Sequence, residues 1–347
     1  MKTILITGAS SGIGFQSACS LGLLGHNLIL TCRSEQRAHQ TNLALTQAGI
    51  DAGKLRILVM DQADLNSVNR CCMTISNTDH AISHIVLNAG MQYAGLSKPL
   101  FSHQGYELTF AVNHLAHQLI LMRLMSLWTT NHNLRVVITA SDVHNPSSGG
   151  GRVGRAAGLG TMQGLRTASS GSMIDGTTPF DPDKAYKDSK LCNVLLARHL
   201  STLLQTTNPG VPVIAWSPGL VIPRTSDGFF QTSRKQNPLG MMLFALFARD
   251  LLRVTETVKT AGQLLANLTL DNKYNCPGFR YYSNQLIRPG LHRFEEIPPS
   301  DEALDDKKAK DLWHICENLI EKSLNQGVES SSLENPPSAE VLEETPD

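Results

Sequence analysis

Several features that would point the reading elsewhere are missing from this chain. None of its seven cysteines (Cys19, Cys32, Cys71, Cys72, Cys192, Cys276 and Cys316) has a Cys-x-x-Cys partner, and their number is odd. That excludes a disulfide framework and a zinc site, and it points to reduced thiols in an intracellular, cytoplasmic protein with no metal. There is no excess of either charge, with 30 basic against 30 acidic side chains in 347 residues. A nucleic-acid partner, which needs a basic face, is therefore excluded. No apolar run approaches the ~20 residues of a membrane-spanning helix. The chain opens almost directly on a strand pattern at 3–6, so neither a signal nor a transit peptide is expected.

What is present is enough for a folded core, since 41% of the residues are hydrophobic. The apolar run at 3–7 breaks into Thr7-Gly8-Ala9-Ser10-Ser11-Gly12-Ile13-Gly14, and a helical pattern follows over 15–24. Strand, glycine-rich turn and helix in that order is the context of a dinucleotide site. Gly8 and Gly12 permit the turn and Gly14 allows close helix packing. The helix N-terminus, with Ser10, Ser11 and Ile13, offers N–H groups to a pyrophosphate. A second strand at 27–31 ends in Cys32-Arg33-Ser34, where an arginine suits a 2′-phosphate and so favours NADP(H). The third strand, 55–60, stops at Asp61, placed for the adenine amino group. The fourth, 84–87, runs into Asn88-Ala89-Gly90, where small residues let backbone approach a cofactor.

Farther on, a helix over about 105–128 carries Asn113, whose buried amide is costly unless used, together with His114 and His117, read as structural. The fifth strand, 134–140, ends at the hydroxyl of Ser141, and the sixth, 211–216, ends in Ser217-Pro218-Gly219. Tyr186 and Lys190 lie four apart, on one face of a helix. A lysine ammonium there is expected to favour the phenolate and make Tyr186 a usable acid/base. Five or six strands alternating with helices imply an α/β fold, a doubly wound parallel sheet with ligands at the strands' carboxyl ends.

Together, Thr7-Gly8-x-x-x-Gly12-x-Gly14, Asn88-Ala89-Gly90, Asn113, Ser141, Tyr186-x-x-x-Lys190 and Pro218-Gly219 resemble the short-chain dehydrogenase/reductase family over about residues 1–325. The resemblance implies a single Rossmann-like domain, a nicotinamide cofactor and an Asn113–Ser141–Tyr186–Lys190 tetrad, with Lys190 and Tyr186 also touching the cofactor. Ser141 and Tyr186 are 45 positions apart, so a long insertion, 146–184, precedes the tyrosine helix; such loops are functional or mobile. Its later part and Lys184–Asn193 are similar to the light-dependent protochlorophyllide reductases. That similarity implies hydride transfer from NADPH to a pigment, with the tyrosine as the usual proton donor. Three departures stand out. Leu220 occupies the position of that family's cysteine, Ser141 that of its threonine, and Gly90 that of an alanine. Phe110-Ala111-Val112-Asn113-His114 is also similar to retinol-dehydrogenase-type members, which act on apolar alcohols and aldehydes.

Residues 222–254 are expected to form a substrate lid. The run Pro238–Phe247 is too short to span a bilayer. It reads first as a buried core helix, with an apolar pocket wall or peripheral contact with a membrane surface as alternatives. The tail, 326–347, holds six acids and no base, and is expected to be disordered. The leading functional reading is an NADPH-dependent reductase of a large apolar substrate, protochlorophyllide being the most specific candidate. The alternatives are a light-independent carbonyl or alcohol oxidoreductase and a non-catalytic NADP(H)- or pigment-binding protein. The complete tetrad favours an enzyme, and a homo-oligomer is compatible with all three.

Overall fold

A computed structural model describes residues 1–77, 81–93, 95–125, 134–167, 173–224 and 229–333, with side chains to 326. In the first half, β1 (Thr3–Ile6), β2 (Asn27–Cys32), β3 (Leu55–Val59) and β4 (His84–Leu87) alternate with α1 (Gly12–Leu23), α2 (Glu35–Gln47) and α3 (Leu65–Ser76). A broken helix follows, made of α4 (Leu108–Phe110), a π-turn at Ala111–Leu115 and α5 (Ala116–Leu124). Then come β5 (Arg135–Thr139), α6 (Gln163–Thr167), the long α7 (Pro182–Thr207) and β6 (Pro212–Ser217). The chain closes with α8 (Gln231–Gln236), α9 (Pro238–Ala245), α10 (Val258–Leu270), β7 (Gly278–Arg288), β8 (Leu291–Glu296) and α11 (Asp306–Leu333).

The sheet order is β3-β2-β1-β4-β5-β6-β7-β8, parallel throughout except for β8, which pairs antiparallel with β7. Strand side chains alternate between faces, and the two cores follow that alternation. Leu5, Ile85, Val136 and Val213 pack under α3, α5, α7 and α11. Ile4, Ile6, Val86, Val137 and Ile214 pack under α1, α2 and α10. Strand order reverses between β1 and β4, which opens a crevice at their carboxyl ends.

The eight strands exceed the five or six expected. Pro289-Gly290 is a turn signal between two extended runs, and Gly290 takes a positive φ of 76°. The insertion packs against the body as well: Leu159, Met162 and Ile174 enter the core, while 168–172 lie outside the described residues. Side chains from α7 grip it. Lys184 Nζ lies 2.6 Å from Asp188 and 3.2 Å from Asp175, and Lys187 Nζ donates to the carbonyls of Gly151, Val153 and Arg155.

The run 238–247 is not a core helix. Leu239, Met242, Phe244 and Phe247 are exposed, Met242 to 60%, because nothing among the described residues packs over α9's outer side. In the tail, α11 continues to Leu333; the remainder of the expected disordered segment, 334–347, lies outside the described residues.

Helix α10 meets α1 at Gly262, where an added Cβ would lie 2.3 Å from Gln16 Cβ and 3.1 Å from the Gln16 carbonyl carbon. Gly262→Ala should therefore force the two helices apart and cost about 1–3 kcal/mol of stability. Urea unfolding, read as a lower midpoint at unchanged slope, checks it; an unchanged midpoint would refute the close approach.

Candidate active site

The crevice is built around Thr7, at the end of β1. Its hydroxyl accepts the N–H of Asn88 (2.9 Å) and of Ala89 (3.0 Å) and lies 3.3 Å from His117 Nε2. Asn88 Nδ2 in turn donates to the Thr7 carbonyl at 3.2 Å. Gly8 (φ +65°) fits because a Cβ there would sit 2.8 Å from Ala89 Cα, and one on Gly14 would sit 2.5 Å from the Gly8 carbonyl. Gly12 (φ +59°) differs, with nothing within 4 Å of its would-be Cβ. This is a cradle closed behind and open in front. Its helix end is also left open. Ser11 makes no side-chain cap on α1, whereas Ser34, Asp64 and Asp181 cap α2, α3 and α7. Free N–H groups over an open glycine turn fit a pyrophosphate. Ser10 and Ile13 are partly exposed on the same turn.

Arg33 is exposed just past β2, and Asp61, partly exposed past β3, turns one carboxylate oxygen to the Ala63 N–H at 3.0 Å. Both stand at carboxyl ends, with Arg33 next to the Ser34 cap.

Asn113 sits in the π-turn, an irregularity that recurs at functional sites. Its amide is fully used by the protein. Oδ1 accepts the Met91 N–H (2.7 Å), while Nδ2 donates to the Met91 carbonyl (2.9 Å) and to Ser189 Oγ (3.0 Å). It thus pins the loop after β4 to α7. His114 and His117 are buried and held below the usual histidine value, to about 4 and about 3, chiefly by burial.

Asp181 and Pro182 start α7, whose inner face carries Tyr186, Lys190 and Asn193. Lys190 Nζ donates to the Thr139 carbonyl at 3.1 Å, as does Asn193 Nδ2. Lys190 Nζ lies 5.7 Å from the Tyr186 ring centre and would lie 3.4 Å from a Cβ on Gly90. Gly90, Tyr186 and Lys190 therefore share one floor. The Ser141 side chain stands by the Tyr186 phenol and favours its ionised form.

The charges differ from the sequence expectation. Burial pushes the Tyr186 phenol above its ordinary value, against the opposing effect of Ser141, and pushes Lys190 down to about 7. Burial disfavours the charged form of both groups and so opposes the effect expected of the lysine.

Pro218 and Gly219 close the far side. Gly219 (φ +77°) would bring a Cβ within 2.7 Å of the Asn284 carbonyl. Leu220 is exposed beyond it. Phe229 packs edge-on to Tyr186 with ring centres 5.3 Å apart, and Ile222 and Phe230 are buried beside it; residues 225–228 of the expected lid lie outside the described residues. A cleft of about 270 Å³ between the insertion and α11, lined by Phe110, Leu165, Met173 and Phe180, reaches Ala185. Sequence reasoning missed Asp142, His144, Ser217 and Tyr281, which surround Ser141. The Pro289-Gly290 turn was the signal that could have brought β7, and Tyr281 with it, into view.

The short chain dehydrogenase family model matches residues 2–157. Protochlorophyllide reductase B of Oryza sativa subsp. japonica is 31% identical over 325 residues, covering 92% of this chain and 77% of the relative. Protochlorophyllide reductase of Avena sativa is 30% identical, covering 91% and 99%. Among solved structures, an uncharacterised protein of Mycobacterium paratuberculosis superposes with TM-score 0.63 at 22% identity, covering 92% of this chain and 94% of that one. L-Sorbose reductase of Gluconobacter frateurii, complexed with NADPH and L-sorbose, gives 0.59 at 15% identity, covering 84% and 96%. The chain belongs to the short-chain dehydrogenase/reductase family, and within it resembles the protochlorophyllide reductases.

Proposed function

We propose that the chain is an NADPH-dependent reductase of a large apolar substrate, with Tyr186 as proton donor and protochlorophyllide as the most specific candidate. The observation that carries this reading is the Tyr186 phenol. It is held above its ordinary value by burial, flanked by Ser141, and set on one floor with Lys190 and Gly90. A phenol that keeps its proton at neutral pH is suited to giving it, which is the reducing direction. NADPH, where bound, supplies the hydride. The α1 N–H groups would hold its pyrophosphate, Arg33 its 2′-phosphate, and Lys190 its nicotinamide ribose. Ser141 orients the phenol. Phe229 and Phe230, in the 222–254 segment proposed as the lid, give Tyr186 an apolar wall that excludes water and suits a flat, greasy ligand. The names of the relatives supply the pigment.

A light-independent reduction of an apolar aldehyde or ketone is the second reading, favoured by the Ser141–Tyr186 pair, a hydroxyl and a phenol that can converge on one substrate oxygen. The deciding experiment mixes protein, NADPH and protochlorophyllide in the dark, then illuminates. The expected result is a red shift of the pigment absorbance only after light, abolished by Tyr186→Phe with NADPH binding retained. Dark NADPH oxidation by retinal without pigment binding would select the second reading, and full activity of Tyr186→Phe would sink both.

For the cofactor, Arg33→Ala should weaken NADPH binding about ten- to a hundredfold, the worth of one charge-assisted hydrogen bond. NADH affinity should barely change. Equal loss for both cofactors would remove Arg33 from the 2′-phosphate.

The same apolar substrate would reside in a membrane, and the exposed α9 face suits peripheral contact with one. Leu239, Met242, Phe247 and Leu251 stand out beside exposed Lys235, Arg253 and Arg288, and the β7–β8 turn is tied to the Arg253 carbonyl by the Gly290 N–H at 2.8 Å. The chain should co-sediment with vesicles containing anionic phospholipid, and Phe247→Asp should release it. Binding that ignores both lipid charge and this variant would refute the contact.

A further inference from the structure

The hydroxyl of Ser141 is useful only if the backbone turn carrying it is held still, and that turn is anchored from three sides. The first anchor is the next residue. Asp142 Oδ1 accepts the Tyr281 hydroxyl at 2.8 Å and Oδ2 accepts the Ser283 hydroxyl at 2.6 Å, both from β7. The second is Ser217, at the end of β6, whose hydroxyl accepts the Asp142 N–H at 3.0 Å and the Gly219 N–H at 3.3 Å. One hydroxyl thereby joins the Ser141 turn to the Pro218–Gly219 turn. The third is His144. Its Nε2 accepts the Ser300 N–H at 3.2 Å, which leaves the ring proton on Nδ1 to be donated to the Ser141 carbonyl at 2.7 Å. His144 also packs edge-on to the Tyr281 ring, with centres 5.2 Å apart.

Tyr281, Ser283, Ser217 and His144 are all buried. A half-buried carboxylate facing two buried hydroxyls is a demanding arrangement, since loss of either donor leaves a carboxylate oxygen without its protein partner. The general fold does not need it, because β6 and β7 are already paired by their ladder from Pro212 to Ser217. What the cluster adds is a fixed position for residue 141.

We propose that Tyr281 and Asp142 are positioning residues that hold Ser141 against Tyr186. The two act through Ser141 and touch neither cofactor nor substrate. The proposal rests on the reading of Tyr186 as the proton donor and of Ser141 as its partner. It makes β7, rather than the insertion, responsible for the alignment of the reacting phenol.

The test is a double-mutant cycle on the full chain. Tyr281→Phe keeps the ring and removes only the hydroxyl; it should lower kcat about tenfold while leaving KM for NADPH and the melting temperature nearly unchanged. In a Ser141→Ala background the same change should cost nothing further, because the residue it serves is gone. Multiplicative losses, or an unaltered kcat for Tyr281→Phe alone, would overturn the proposal. A second measurement needs no turnover. Amide hydrogen exchange across 141–148 should quicken at least tenfold in Tyr281→Phe, with exchange in β1 and β4 unchanged; equal protection in both proteins would overturn it as well. Failure of Tyr186→Phe to abolish activity would instead strike the proton-donor reading, while the exchange result would still stand or fall alone.

Discussion

The structure turns on the burial of one ammonium group. Helix α7 carries three buried lysines within seven residues, and two of them are fully answered. Lys184 faces two carboxylates and Lys187 faces three carbonyls. Lys190 has one neutral acceptor, the Thr139 carbonyl, and the face of the Tyr186 ring. Burying a cation with so little compensation is unfavourable, and its hold on the proton falls accordingly, to about 7. The two answered lysines fasten the insertion to α7 and keep Tyr186 and Lys190 in register with the sheet. The unanswered one faces the crevice, where a ligand with hydroxyl groups could complete its hydrogen bonds.

Much of this could be read from the chain because its glycines and its strand ends are local signals. Gly8, Gly12 and Gly14 are each required for a different reason, by a positive φ or by a close approach. Asn88, Ser141 and Pro218 come immediately after apolar runs and so fall at carboxyl ends whatever the packing. Tyr186 and Lys190 needed only the helical repeat.

What escaped the sequence depends on contacts between distant segments. Asp142 looks like an ordinary residue after a strand until β7 brings Tyr281 and Ser283 to it, across 139 and 141 positions. The run at 238–247 is apolar all round, which in a sequence means core, yet exposure is decided by whether another element covers it. The buried amide of Asn113 finds its partners, Met91 and Ser189, only once the loop after β4 and α7 come together. The direction of the Tyr186 shift failed for the same reason. Spacing gave the neighbouring ammonium, while the depth of the floor, which acts on phenol and ammonium alike, came only with the fold.

That depth bears on the departure at Leu220. A thiol after Pro218-Gly219 would offer a second proton source; this chain has an exposed leucine whose carbonyl accepts the Glu256 N–H at 2.8 Å. The Pro218–Gly219 turn is also tied through the Ser217 hydroxyl to the Ser141 turn. In the proposed reduction proton donation rests on Tyr186, and a donor acting alone must be both protonated and correctly aimed. Burial supplies the first condition, and the Ser141–Asp142–Tyr281 cluster supplies the second. Both conditions are met where β5, β6 and β7 come together over α7.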